Sequence, residues 1–118
     1  MATISIDLDT IQATTAKALE AHGAKPWVAN SVAHAVRVAE AYGNKICGLF
    51  YLQSYCSQLQ VGRVKGDVEP EVHQPKPASV VVDAKLGFAQ AAFSRGLDTA
   101  LAAAKTNSVA TLAICHSH

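Results

Sequence analysis

The chain has 118 residues, half of them apolar, and its ten Lys and Arg residues are scattered among nine acidic ones. This length predicts one domain, and the near-neutral charge argues against nucleic acid and membrane surfaces as partners. An odd, unpaired set of three cysteines favours a reducing, cytoplasmic location, and no stretch resembles a signal peptide or a transmembrane helix. The chain stops directly after an apolar, strand-like run, so we expect it to be the first segment of a longer protein.

The first half of the chain predicts three helices. Ser5 or Asp7 can cap the first helix, which Gly23 ends. A second helix begins at Lys25-Pro26, where the missing proline N–H costs nothing, and ends at Gly43. The third helix is expected from about Leu49 to Leu59, and its first turn is expected to carry Cys47 and Tyr51.

The second half of the chain alternates strands with one helix. Two strands are predicted, Val68 to Val72 and Ala78 to Val82, with the first at a sheet edge because it contains Pro70. A helix from Phe88 to Lys105 and a buried strand from Ser108 to Ile114 follow.

The fold class is therefore α/β in the α+β sense: a three-helix segment followed by β-β-α-β, in an incomplete domain. We treat residues 1–118 as a single unit, with a helical part (1–62) and a β-β-α-β part (63–118). No Gly-x-Gly-x-x-Gly or Walker sequence is present, so the fold is predicted to be non-Rossmann.

Cys47 and Tyr51 are four residues apart, which on a helix would put them on one face near its N-terminus. Backbone N–H groups and the helix dipole favour a small anion at such a position. Cys47 could be a nucleophilic thiol or a half-buried apolar residue, and its residue type alone favours the second. Tyr51 and Tyr55 could line a pocket, although partly buried helix tyrosines are common.

The chain ends in a pair of histidines, His116 and His118, which an extended strand would place on the same side. No acidic residue is expected nearby, and Cys115 should point to the opposite side. We therefore predict no metal site and interpret the pair as polar catalytic groups.

Several segments, in order, resemble the malate/L-lactate dehydrogenase family that is distinct from the Rossmann enzymes. This family includes reductases of Δ1-piperideine-2-carboxylate and Δ1-pyrroline-2-carboxylate, ureidoglycolate dehydrogenase and diketogulonate reductase. The segments that carry the resemblance are Val28 to Ala33, Cys47-Gly48-Leu49-Phe50 with Tyr55, Gly62-Arg63-Val64, Val82-Asp83-Ala84, Gly87 to Ala92 and Ala113-Ile114 leading to Ser117-His118. Gly-Phe-Ala-Gln and the Ser-His ending are most similar to the cyclic-imine reductases.

The resemblance implies a typically homodimeric enzyme that uses NADH or NADPH to reduce C=O or C=N beside the carboxylate of a small substrate. The family's proton donor is the His of a Ser-His-Gly motif, and an Arg four residues later holds the carboxylate. Here Ile46 stands at the Ser position, Cys47 at the His position and Tyr51 at the Arg position, while Tyr55 matches the following tyrosine. His118 matches the family's strand-end histidine, which the resemblance makes catalytic.

Two hypotheses follow from these residues. The first is an NAD(P)H-dependent oxidoreductase present as a truncated, inactive chain that does not bind the cofactor alone. The second is a non-catalytic helical dimerisation or interaction module, or a decayed gene product. In both, under-paired strands would favour self-association through open sheet edges.

Overall fold

A computed structural model describes residues 2–118 and contains four helices and three strands. The helices are α1 (Leu8–Ala21), α2 (Pro26–Ala41), α3 (Leu52–Gln60) and α4 (Ala89–Asn107). The strands are β1 (Glu71–Lys76), β2 (Ser79–Asp83) and β3 (Thr111–Cys115). The predicted order α-α-α-β-β-α-β is confirmed. Among residues 2–118, no helix combines the length and apolar character needed to cross a bilayer.

The ends of α1 and α2 lie where local sequence signals predicted them. Asp7, rather than Ser5, caps α1 and accepts a hydrogen bond from the Thr10 backbone N–H at 2.8 Å. The Thr10 side-chain and backbone hydrogen bonds lower the pKa of the Asp7 carboxyl. Pro26 occupies the first turn of α2, and Gly23 and Gly43 follow the two helices with φ values of 105° and 76°.

The third helix begins later than predicted. Residues Leu49–Tyr51 form a 3₁₀ turn and α3 begins at Leu52, so Cys47 lies in the preceding turn rather than in the helix. The cause is a side chain from α2: Glu40 Oε1 accepts the Leu49 N–H at 2.7 Å and packs against Gly48. The predicted helical face shared by Cys47 and Tyr51 is therefore wrong.

The sheet has the order β1-β2-β3, with β1 and β2 antiparallel and β2 and β3 parallel. The first strand begins three residues later than expected and includes Pro75, and Pro70 lies outside it. The expected edge position of this strand is correct. The β1–β2 ladder shifts register between His73 and Lys76, around Pro75, which has no N–H to donate. The error arose because a two-residue connection joins the strands, so Lys76 pairs with Ser79 and Pro75 belongs to the strand instead of a loop.

Helix α4 joins two apolar clusters. Phe88, just before its start, and Ala91 pack with the buried residues of α1 and α2, such as Leu19 and Val32. Ala92, one residue further, packs with Val82 and Ala84, and Leu112 and Ile114 lie against that second cluster. The helical part and the β-β-α-β part therefore share a packed boundary.

Strand β3 was predicted to be buried, and this is wrong. It is an edge strand of the three-stranded sheet: Thr111 and Ala113 are exposed, and Val109 before it is 70% exposed. Its alternate residues Leu112 and Ile114 face α4 and are half-buried. An apolar strand with one covered face reads in sequence like a fully buried one.

Candidate functional site

Three of the predicted site residues lie together on one surface, which we call the tyrosine cluster: Cys47, Tyr51 and Tyr55. The Tyr51 and Tyr55 rings stack with centroids 6.2 Å apart. Tyr55 meets the buried Phe88 ring edge-on at 5.5 Å, and Phe50 meets Tyr51 edge-on at 5.4 Å. This chain of rings places the cluster against the start of α4.

The tyrosine cluster is open to solvent. Cys47 is exposed, Tyr51 is 43% exposed, and Ile46 beside them is 61% exposed. Burial raises the pKa of the half-buried Tyr55 phenol, a hydrogen bond with Gln90 opposes this, and the charges of ionised Cys47 and Tyr51 raise it further. Tyr55 is therefore a neutral hydrogen-bond donor near pH 7.

Cys47 is not held at a helix N-terminus. Its backbone N–H donates to Asn44 Oδ1 at 3.4 Å, within the turn that follows α2. The anion site expected from backbone N–H groups of a helix start is therefore not formed around Cys47. What the cluster offers a ligand is a thiol, two phenol groups and aromatic faces, with no positive charge among its side chains.

His118 lies near this cluster through the backbone rather than through its side chain. Its N–H donates to the Gly87 carbonyl at 3.0 Å, and its carbonyl accepts the Ala89 N–H at 3.3 Å. These two bonds flank Phe88, which is also the residue that touches Tyr55. The structure thus brings Cys47, Tyr51 and Tyr55 together and leaves the His118 side chain exposed at the adjoining strand end.

Gln90 is a candidate that the sequence reasoning did not single out, although it closes the quoted Gly-Phe-Ala-Gln segment. Its side chain lies close enough to the Tyr55 phenol to lower the pKa of that group, and its Oε1 atom is buried with no hydrogen-bond partner in residues 2–118. A buried, unpartnered acceptor is costly, so this amide is suited to a ligand donor. The similarity of Gly-Phe-Ala-Gln to the cyclic-imine reductases was the sequence signal that could have identified Gln90.

The histidine pair does not continue the strand as expected. His116 has φ 49° and its Nδ1 lies 3.0 Å from Asp83 Oδ1. The Cys115 sulfur shares this location, since the ligand atoms of Asp83, Cys115 and His116 all lie within 4.8 Å of one another. Both premises, no nearby acid and Cys115 on the opposite side, are wrong, because parallel pairing sets Asp83 beside Cys115.

The other two cysteines, Cys56 and Cys115, differ in burial. Cys56 is buried, and burial raises the pKa of its thiol, whereas Cys115 is only half-buried. None of the three cysteines in residues 2–118 is paired in a disulfide.

A second concave surface lies between α2 and α4, and we call it the helix groove. It has a volume of about 830 Å³ and is lined by apolar side chains, among them Val38, Tyr42, Phe93, Leu97 and Ile114. Val38, Tyr42 and Phe93 are 41%, 87% and 48% exposed. The helical pattern in the sequence did not predict it, because both helices also bury an apolar face in the core.

Comparison with known proteins decides the family. Residues 6–118 match the family described as malate/L-lactate dehydrogenase. The chain belongs to this family. The predicted resemblance to malate/L-lactate dehydrogenases is thereby confirmed.

Within the malate/L-lactate dehydrogenase family, the chain is similar to cyclic-imine reductases. It is 31% identical over 115 residues to a Δ1-pyrroline-2-carboxylate/Δ1-piperideine-2-carboxylate reductase of Pseudomonas putida, covering 98% of this chain and 34% of that protein. It is 33% identical over 113 residues to a (2R)-3-sulfolactate dehydrogenase (NADP(+)) of Chromohalobacter salexigens, covering 96% and 34%.

The fold agrees with the same family. The crystal structure of Δ1-piperideine-2-carboxylate reductase from Pseudomonas syringae pv. tomato superposes with a TM-score of 0.93 at 32% identity, covering 98% of this chain and 35% of that one. The chain therefore spans about a third of the length of the relatives it matches.

Proposed function

We propose that this chain comes from an NAD(P)H-dependent oxidoreductase that reduces a cyclic imine or a 2-keto acid beside a carboxylate. We further propose that the 118 residues alone are inactive. Membership of the malate/L-lactate dehydrogenase family supports the first statement. The observation that carries the second is the solvent-open tyrosine cluster, where the positions that match the family's site hold Ile46, Cys47 and Tyr51.

Proton donation is the first function that the cluster lacks. Reduction of C=N or C=O needs an acid near neutral pH beside the reacting atom, and histidine has that range. A thiol donates a proton less readily than an imidazolium near neutral pH, and the cysteine side chain is shorter than that of histidine. Tyr55 is neutral, but the raised pKa of its phenol makes it a weak acid. His118 is the remaining imidazole that we assign to proton transfer, and its side chain is exposed.

Carboxylate binding is the second function that the cluster lacks. Arginine binds a carboxylate with two charged hydrogen bonds, whereas the Tyr51 phenol supplies one neutral bond. The difference corresponds to a loss of about 2 kcal/mol in binding free energy. Ile46, 61% exposed beside Cys47, replaces a serine hydroxyl with an apolar surface.

A nicotinamide cofactor is supported by resemblance, and the Chromohalobacter relative carries NADP(+) in its name. The aromatic faces of the cluster and the Gln90 amide can contact a planar ligand. They include no cation for a pyrophosphate and no glycine-rich turn at a helix start. We therefore propose that these residues contribute to the substrate side of the site, and that cytoplasmic location and homodimer formation follow the family.

A ligand titration with a matched pair of variants tests this proposal. Unmodified chain should show no saturable change in NADPH fluorescence and no NADPH oxidation with Δ1-piperideine-2-carboxylate. Tyr51→Arg should bind that carboxylate about tenfold or more tightly, since a charged pair replaces a neutral bond. The binding is followed by amide chemical shifts in NMR spectra.

Tyr42→Arg is the matched control, because it makes the same substitution at an 87% exposed tyrosine outside the cluster. It should leave carboxylate binding unchanged. Tight, saturable NADPH binding by the unmodified chain would contradict the proposed inactivity. Equal gains from the two arginine variants would contradict the placement of the carboxylate at Tyr51.

A second candidate function is a non-catalytic interaction module, and the helix groove favours it. Soluble monomers rarely expose contiguous apolar surface of this kind without a binding role. Two copies of the chain meeting through α2 and α4 would cover Val38 and Phe93. This function does not need the residues that Ile46, Cys47 and Tyr51 replace.

A further inference from the structure

We propose that Asp83, Cys115 and His116 form a binding site for a divalent transition-metal ion, with Zn²⁺ as the ion that this donor set favours. Their ligand atoms lie within 4.8 Å of one another, and Asp83 Oδ1 is 3.0 Å from His116 Nδ1. The donors of a tetrahedral zinc ion are about 3.3–3.7 Å apart, so binding needs shifts of about 1 Å or less. The site lies outside the tyrosine cluster and does not depend on the proposed reductase function.

The backbone brings these three residues together. Asp83 and Cys115 are directly paired where β2 and β3 end in parallel, so their side chains leave the same face of the sheet. In a continuing strand His116 would point to the opposite face. Its φ of 49° turns the chain instead and sets the imidazole beside the Asp83 carboxylate.

The turn that follows β2 holds this arrangement in place. The Ala84 N–H donates to the Cys115 carbonyl at 2.9 Å, and the Leu86 N–H donates to the His116 carbonyl at 2.7 Å. The Lys85 N–H donates to Asp83 Oδ1 at 2.8 Å, which orients the carboxylate as outer-shell hydrogen bonds do in metal sites. The Lys85 ammonium is itself engaged by Glu71 at 3.1 Å.

The donor set matches zinc in chemistry and in charge. A thiolate, an imidazole and a carboxylate oxygen are the three ligand types that Zn²⁺ takes in proteins. Thiolate and carboxylate together carry two negative charges, which balance the ion, and the thiol proton passes to solvent on binding. His116 is exposed, so an ion can enter directly and water can complete the coordination.

Cobalt titration of the full chain under reducing conditions tests the site, because Co²⁺ reports thiolate ligation by a sulfur-to-metal charge-transfer band. We expect the band to appear, to saturate at one ion per chain, and to disappear when Zn²⁺ is added. Cys115→Ser should abolish it, and His116→Ala should weaken Co²⁺ binding about tenfold or more.

Matched controls use a cysteine and a histidine elsewhere on the surface. Cys47→Ser and His22→Ala should leave the band and the affinity unchanged, since both residues are exposed outside the group. Far-UV circular dichroism checks that each variant is folded. If Cys115→Ser does not fold, His116→Ala tests the site instead, because the His116 side chain is 66% exposed and its removal should not disturb the fold. No band in the unmodified chain, or a band that survives Cys115→Ser and is lost in Cys47→Ser, would overturn the site and leave Asp83 and His116 as an ion pair only.

Discussion

At the scale of single residues, Arg95 connects three parts of the molecule. Its guanidinium carbon lies 3.7 Å from the Trp27 ring centroid, a cation–π distance between α4 and α2. The same guanidinium pairs with Glu69, in the segment that leads into β1, with Arg95 Nη2 to Glu69 Oε2 at 3.3 Å. The Arg95 hydrogen bond lowers the pKa of the Glu69 carboxyl, and the Arg95, Lys25 and Lys85 charges lower it further.

This lowered pKa predicts a pH-dependent contribution to stability. A carboxyl whose pKa is lower in the folded state stabilises the fold above its unfolded pKa, and the effect is lost as pH falls through the folded pKa. Glu69→Gln should therefore reduce the free energy of unfolding at neutral pH by about 0.5 kcal/mol, because the pair is exposed, and have no effect in strong acid. Urea unfolding followed by Trp27 fluorescence at both pH values measures this.

Asp98→Asn is the matched control for Glu69→Gln, since Asp98 is exposed on α4 and forms no ion pair within residues 2–118. Asp98→Asn should leave unchanged the decrease in unfolding free energy between neutral and acid pH. A loss of the same size at neutral and acid pH in Glu69→Gln would rule out the charge effect.

At the scale of secondary structure, the contact of α4 with the sheet depends on Gly96. A Cβ atom built there would lie 2.5 Å from Val82 Cγ2 and 2.9 Å from Leu112 Cδ1. Leu112 can move its side-chain end, whereas Val82 is fully buried and branched at Cβ, which restricts its χ1. The glycine thus allows the helix to approach the strands closely.

Gly96→Ala should therefore destabilise the fold by about 1–3 kcal/mol through overpacking. The sign of the change in unfolding free energy distinguishes overpacking from helix propensity, because Gly→Ala in an exposed helix would stabilise the fold by about 1 kcal/mol. In a double-mutant cycle, adding Val82→Ala should cost less in the Gly96→Ala background than alone. Strictly additive effects in thermal or urea unfolding would argue against this contact.

The helix ends were predictable because the signals that produce them are local. Asp7, Gly23, Pro26 and Gly43 act within one turn of their own positions, and each lies where the sequence indicated. The start of α3 was not predictable in this way. It depends on Glu40, nine residues earlier, whose carboxylate accepts the Leu49 N–H.

At the scale of the whole molecule, the open surfaces predict self-association. The helix groove exposes Val38 and Phe93, and β3 has one strand neighbour. Burial of such apolar surface between two copies would stabilise a dimer at about 25 cal/mol per Å² of apolar area removed from water, before the costs of association. We expect sedimentation analysis to show a concentration-dependent dimer.

Phe93→Glu should raise the dissociation constant of that dimer about tenfold or more, since it places a charge in the groove. Val61→Glu is the matched control, because Val61 is 77% exposed at the end of α3 and does not line the groove. A chain that stays monomeric at all concentrations would contradict the interaction-module function. Equal effects of both variants would argue against the groove as the interface.

The candidate sites were only partly predictable. The positions of Cys47, Tyr51 and Tyr55 came from resemblance, and the ring contacts between Tyr51, Tyr55 and Phe88 are consistent with one surface. The β1 error and the missed group at Asp83 share one cause. Both depend on strand register, which is set by pairing between residues distant in sequence.

The order of the elements and the ends of the first two helices could be read from the amino-acid sequence, because periodicity and capping act over a few residues. The family resemblance came instead from matching segments such as Gly87 to Ala92. The three-dimensional fold, by contrast, places Cys47 outside the helix, leaves β3 half exposed and brings Asp83 to His116. Those outcomes depend on which segments pack or pair at long range. Asp83 and His116 are 33 residues apart in the chain and are brought together by the parallel register of two strands.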